Sequence, residues 1–233
     1  MFKKKNQRLD PNFHEENKFS VLEAYKTIRT NLSFAIQKDG CKKIVFTSTR
    51  PGDGKSTTAV NLSVALSQTN EKVLLVDCDL RKPRIHKFFN TSNIPGLTNI
   101  VGNFNTIKEV IKSTKYPNLD VICAGVIPPN PAEILASEKV SGIFSELEKE
   151  YDYIFIDSPP INVVSDILPI SNKCDGVILV VKHNDSRLPE ISKAVKSLEF
   201  AKANIIGFII NESEAESADK KGKYKYAYSY NYK

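Results

Sequence analysis

The 233-residue chain has no tryptophan, one methionine, three histidines and four cysteines. Cys41, Cys78, Cys123 and Cys174 form no CxxC pair and have no histidine beside them. That argues against a disulfide framework or a zinc site and points to a reduced, cytosolic compartment. Apolar runs such as Val177-Ile178-Leu179-Val180-Val181 are far too short to span a bilayer. The first residues, MFKKKNQRLDPNF, carry positive charge with no apolar stretch behind it, so they do not read as a signal peptide. The net charge of +6 is modest and gathers at the two chain ends, which reads as solvated surface and makes no case for nucleic acid. No internal repeat is visible.

What is present is a series of short, wholly apolar segments between helical ones. Residues 18–37 form an amphipathic stretch, with Val21, Leu22, Tyr25, Ile28, Leu32 and Ile36 near one stripe. Strands are expected at 43–48, 73–77, 119–123, 153–157, 176–181 and 204–210, and helices at 56–67, 131–150, 165–172 and 187–202. This alternation predicts an α/β fold, a mainly parallel sheet with helices on both faces. Residues 1–17 are polar and are expected to be a flexible segment, 18–211 a single folded domain, and 212–233 a disordered tail, because residues 212–233 contain no Val, Ile, Leu, Phe or Met.

The first strand runs into Thr49-Arg50-Pro51-Gly52-Asp53-Gly54-Lys55-Ser56-Thr57, and a helix follows. Strand, glycine-containing loop and helix N-terminus in this order make an anion cradle. Gly52 and Gly54 permit a backbone that turns several N–H groups to one phosphate, and the helix end adds partial positive charge. Lys55 suits the β- and γ-phosphates, and the Ser56 hydroxyl suits Mg2+. Thr49 stands where the phosphate-loop pattern GxxxxGK[ST] has its first glycine. The candidate nucleotide-contacting set is Pro51, Gly52, Asp53, Gly54, Lys55, Ser56 and Thr57.

Two further strands end in acids: Asp77-Cys78-Asp79-Leu80-Arg81 after the second, and Asp157-Ser158-Pro159-Pro160 after 153–156. In an open α/β sheet, ligands sit beyond the carboxyl ends of strands, so Lys55, Ser56, Asp77, Asp79 and Asp157 are expected to share one place. Carboxylates and a hydroxyl suit a hard divalent cation, and an acid beside it suits proton acceptance. Arg81 suits an acid or a phosphate.

Five of the nine tyrosines alternate at the end of the chain: Tyr224, Tyr226, Tyr228, Tyr230 and Tyr232. One reading is an edge strand with an aromatic face; the other is a row of phosphoacceptors. Residues 212–233 hold four acids and five lysines, and five phosphates at about −1.5 to −2 each would invert that balance. Extended, residues 212–224 reach about 40 Å, enough to find a neighbouring subunit.

Together these motifs resemble the bacterial tyrosine kinases, specifically the separate cytoplasmic kinase subunit of capsule and exopolysaccharide systems. The resemblance rests on a Walker A loop at 48–57, a DxDxR motif at 77–81, a Walker B motif at 157–160, the stretch from Pro128 to Leu135 and the tyrosine cluster. It implies a P-loop NTPase fold, ATP and Mg2+ as cofactors, and Lys55 on the β/γ-phosphates. It further implies magnesium ligation by Ser56, Asp77, Asp79 and Asp157, with Asp77 as proton acceptor and Arg81 in the catalytic set. Asn211 is a base-contact candidate by the same resemblance; a strand-end asparagine also serves as a cap. The family's ring-forming ExxRxxR motif is matched by Glu23, Lys26 and Arg29, with lysine for the first arginine. The implied partners are other copies in a ring, up to an octamer, a membrane-anchored activator that recruits the kinase to the inner face of the cell membrane, and a counteracting tyrosine phosphatase. The competing reading is a deviant-P-loop partitioning or positioning ATPase, a relative that carries a lysine near the start of its loop where this chain has Arg50.

Overall fold

The computed structural model describes residues 15–212, with side chains from Val21 onward. The expected flexible segment at 1–17 falls mostly, and the tyrosine tail almost wholly, outside the described residues. In chain order the elements are α1 Glu15–Ala35, β1 Lys42–Ser48, α2 Lys55–Ser67, β2 Val73–Asp77, α3 Ile85–Phe88, α4 Leu97–Val101, α5 Ile107–Val110, β3 Lys112–Ser113, β4 Leu119–Ile122, α6 Pro131–Ala136, α7 Glu138–Leu147, β5 Tyr153–Asp157, α8 Leu168–Ser171, β6 Gly176–Lys182, α9 Leu188–Phe200 and β7 Ile205–Asn211.

The apolar segments pair into one seven-stranded sheet in the order β3-β4-β2-β5-β1-β6-β7. Every pairing is parallel except the short β3 against β4. Parallel strands covered on both faces need apolar residues at every position, and period two sends them to opposite sides. Thus Val45, Val76, Ile154 and Ile156 join α7 and α9 in one buried layer. Ile44, Phe46, Leu75 and Phe155 join α1 and α2 in the other. There the rings of Phe46 and Phe155 meet edge to face at 5.1 Å.

Two expected helices are shorter in the structure. The expected helix over 131–150 is broken at Ser137, whose extended backbone (φ −65°, ψ 145°) ends α6 while its side chain accepts from the Val140 N–H to start α7. The expected helix over 165–172 shrinks to α8, with Pro169 in its first turn and Asp166 engaged elsewhere. Helix α1 is fixed to α2 by the Arg29 guanidinium, which donates to the Ala65 carbonyl at 2.9 Å, and by Asn61, which donates to the Tyr25 hydroxyl at 3.2 Å. Among the described residues, no helix is long and apolar enough to cross a membrane.

Candidate functional site

The same alternation that builds the core places the acids. Asp77 and Asp157 continue the rows Val73–Leu75 and Tyr153–Phe155, so both emerge on the α2 side of the sheet. They are register partners across β2 and β5 and are fully buried. β1 lies beside β5 and delivers the phosphate loop to this end of the sheet.

Gly52 (φ +95°) and Gly54 (φ +92°) take the left-handed backbone that the loop needs. A Cβ on Gly54 would also stand 1.9 Å from the Asn211 amide nitrogen, which donates to the Asp53 carbonyl at 3.0 Å. No side chain caps the start of α2, so its first N–H groups stay available to an anion. The Asp53 carboxylate, expected to serve the nucleotide, is turned into the loop. It accepts from the Thr49 N–H (3.1 Å), the Thr49 hydroxyl (2.8 Å) and the Arg50 N–H (2.8 Å), and so braces the cradle from within.

Lys55 sits at the centre, with its ammonium 3.0 Å from Asp79, 3.4 Å from Asp157 and 3.2 Å from the Ser56 hydroxyl. Burial works against its charge, but Asp157 and Asp79 outweigh it and hold the lysine pKa above its usual value. Ser56 donates to Asp157 at 2.6 Å. Burial raises the Asp157 pKa, while Lys55 and Ser56 oppose the rise.

Asp77 is placed differently. One carboxylate oxygen accepts from the Asp79 N–H (3.1 Å), and the other from the N–H groups of Arg84 (2.9 Å) and Ile85 (3.0 Å). Burial, and then the charge of Asp157, push its pKa up to about 7. Among the described residues, no three Asp, Glu, His or Cys side chains are grouped to hold a metal. The oxygen set around Lys55, a hydroxyl with Asp79 and Asp157, fits Mg2+ that takes a few protein ligands and completes its shell from phosphates and water.

Above this floor opens a cleft of about 670 Å3, lined by Pro51, Gly52, Gly54, Ser56, Thr57 and Asn211 among others, with Tyr25 and Ile28 of α1 on one wall. Arg81 faces an acid: its Nε and Nη2 donate to Asp166 at 2.6 and 3.0 Å, and Asp166 is buried. Arg50 reaches α9, donating from Nε to Glu190 at 2.6 Å and pairing with Asp185 at 3.2 Å. Sequence reasoning missed Asp166, Asp185 and Glu190, because each completes a pair more than eighty residues away in the chain with no local motif. Of the ring-motif residues, Glu23 and Lys26 pair on the surface at 2.7 Å, while Arg29 is spent on the Ala65 carbonyl.

A family model described as an AAA domain matches residues 41–206. The tyrosine-protein kinase YwqD of Bacillus subtilis (strain 168) is 39% identical over 81% of this chain and 80% of its own length. The putative tyrosine-protein kinase CapB of Staphylococcus aureus is 35% identical over 90% and 92%. The kinase domain of the Escherichia coli tyrosine kinase ETK superposes with a TM-score of 0.83 at 29% identity, covering 98% of this chain and 90% of that one. A more distant likeness, to the septum site-determining protein MinD of Pyrococcus horikoshii OT3 bound to Mg-ADP, has a TM-score of 0.61 at 26% identity over 75% and 72% of the two chains. With a phosphate loop, two acid-ended strands and relatives of this kind along most of its length, the chain belongs to the AAA-domain family and, within it, to the bacterial tyrosine kinases.

Proposed function

We propose that this kinase uses Mg-ATP to phosphorylate its own tyrosines, Tyr224, Tyr226, Tyr228, Tyr230 and Tyr232, in trans between subunits, and that it thereby regulates synthesis and export of a capsular or extracellular polysaccharide. The observation that carries the reading is the meeting of Lys55, Ser56, Asp79 and Asp157 beneath a cleft whose rim is the phosphate loop. The acceptor phenol oxygen forms a bond to the γ-phosphorus while the bond from that phosphorus to the β,γ-bridging oxygen breaks. The phenol proton passes to an ionised carboxylate, and ADP leaves. In this reading Lys55 follows the charge from γ- to β-phosphate. Ser56, Asp79 and Asp157, with Asp77 behind them, hold Mg2+, which neutralises phosphate charge. Asp77, at the end of β2 beside this set, is the proton acceptor of the reading. Asn211 braces the loop at the cleft wall, which suits an indirect role in nucleotide binding.

The same reading makes the kinase a cytoplasmic homo-oligomer, ring-like through the α1 face that carries Glu23 and Lys26, with Arg29 bracing that helix against α2. A membrane-anchored activator brings it to the membrane, and a tyrosine phosphatase counteracts it. The ATPase-switch reading draws on the likeness to MinD. Against it, Arg50 is committed within its own chain to Glu190 and Asp185, and such a switch has no use for a tyrosine row. Incubation with Mg-ATP, with or without an activator peptide, followed by mass spectrometry separates the two. Phosphotyrosine in 224–232, abolished by Lys55→Met, supports the kinase; orthophosphate release without phosphotyrosine supports the switch.

A further inference from the structure

The ionised side chains lining the cleft are unevenly paired. Lys55 is matched by Asp79, Arg81 by Asp166, and Glu212 by Lys182. Lys82 and Arg84 line the same cleft, are exposed, and have no side-chain partner among the described residues. They stand on either side of Pro83, whose ring fixes the backbone between them. Their main chain is pinned from below. The Lys82 N–H donates to Asp79 at 3.0 Å, and the N–H groups of Arg84 and Ile85 donate to Asp77 at 2.9 and 3.0 Å. The two acids of the DxD motif therefore also hold a cationic turn at the cleft wall. Phe88, on the helix that follows, adds an aromatic ring to the lining.

Two cations with no side-chain partner among the described residues, beside a ring, suit an aromatic anion. The nucleotide phosphates already have Lys55 and the start of α2. The acceptor segment 220–233 has five lysines and no acid, so its unmodified side chains carry no negative charge, and in the tail-phosphorylation reading the anion they gain is phosphate on tyrosine. Its tyrosines alternate, and in an extended chain residues two apart face the same way at a spacing of about 6.6 to 6.8 Å. We propose that Lys82, Arg84 and Phe88 form a phosphotyrosine-binding subsite beside the transfer centre. It holds a tail tyrosine that is already modified while the tyrosine two residues away is presented to ATP. The inference rests on the tail-phosphorylation reading and adds an order to it: the first phosphate is slow to arrive, and each one speeds its neighbour.

The test uses the full chain, Mg-ATP and two peptides of residues 220–233. Each keeps Tyr226 as the sole acceptor and has phenylalanine at the other tyrosines, except that one peptide carries phosphotyrosine at 228. The expected kcat/KM is about tenfold higher for the primed peptide, and the advantage shrinks as salt rises. In K82A/R84A the ratio of the two falls to about one, and Arg84→Lys keeps part of it. Equal rates for both peptides with the unaltered chain would overturn the subsite and leave the kinase reading standing. So would a ratio that survives in K82A/R84A, or a loss of ATP affinity in that variant, which would assign the cations to the nucleotide. Modification of neither peptide, nor of the tail, would overturn both.

Discussion

Asp77 and Asp157 face the same side of the sheet as register partners on β2 and β5, so two buried carboxylates compete for one neighbourhood. Burial first, and Asp157 second, raise the Asp77 pKa to about 7. Asp157→Asn removes the like charge, so the Asp77 midpoint should fall, as read by carbon NMR of its carboxyl in the nucleotide-free protein. The linkage has a definite sign. Asp77 binds its proton more tightly folded than unfolded, so its contribution to stability is fully present below its ordinary value of 3.8 and is lost as pH rises through about 7. Asp77→Asn should therefore destabilise less at pH 8 than at pH 5 in urea unfolding. A larger cost at pH 8 would contradict the assigned cause.

Gly54→Ala should cut ATP affinity more than tenfold. The added Cβ meets Asn211 at 1.9 Å, and the φ of +92° is strained for any side chain. Asn211→Ala in the same chain removes the collision and leaves the strain, so titration calorimetry should show partial recovery. Full recovery would mean that the backbone conformation at residue 54 contributes nothing.

Arg81→Ala should lower stability by about 1–3 kcal/mol, because it leaves the buried Asp166 carboxylate without its forked donor. The guanidinium is half exposed, which keeps the figure below that of a fully buried pair. Asp166→Asn should recover part of the loss in the double variant, measured by denaturant midpoint at constant m.

Arg29→Ala should be felt in the isolated subunit. Its bond to the Ala65 carbonyl joins α1 to α2, and losing it should cost about 1 kcal/mol and speed amide exchange along α1. Glu23→Ala, which removes only a surface pair, should leave that exchange nearly unchanged.

The strands with acids at their ends were legible to the residue, because apolar runs bounded by Asp77 and Asp157 carry both the sheet signal and the chemistry. The loop and the start of α2 were legible for the same reason: glycine positions and Lys55-Ser56 are a local code. Breaks that depend on one polar atom were not. Ser137 divides a periodic stretch by switching from extended backbone to cap, and periodicity has no means of registering that. Short elements such as α3 and β3 have too few residues to show a period. The long-range pairs of Arg81 with Asp166 and Arg50 with Glu190 exist only after the chain has folded. Asp53 shows the opposite case: its place in the loop was legible, but its side chain supports the loop from inside.

The most direct measurement mixes two chains. One carries Lys55→Met and keeps its tail; the other keeps Lys55 and lacks 222–233. After addition of Mg-ATP, mass spectrometry locates phosphate. Phosphotyrosine is expected among Tyr224, Tyr226, Tyr228, Tyr230 and Tyr232 of the Lys55→Met chain, and none when that chain is incubated alone. An unmodified tail in the mixture, while the complete chain modifies its own, would contradict transfer between subunits.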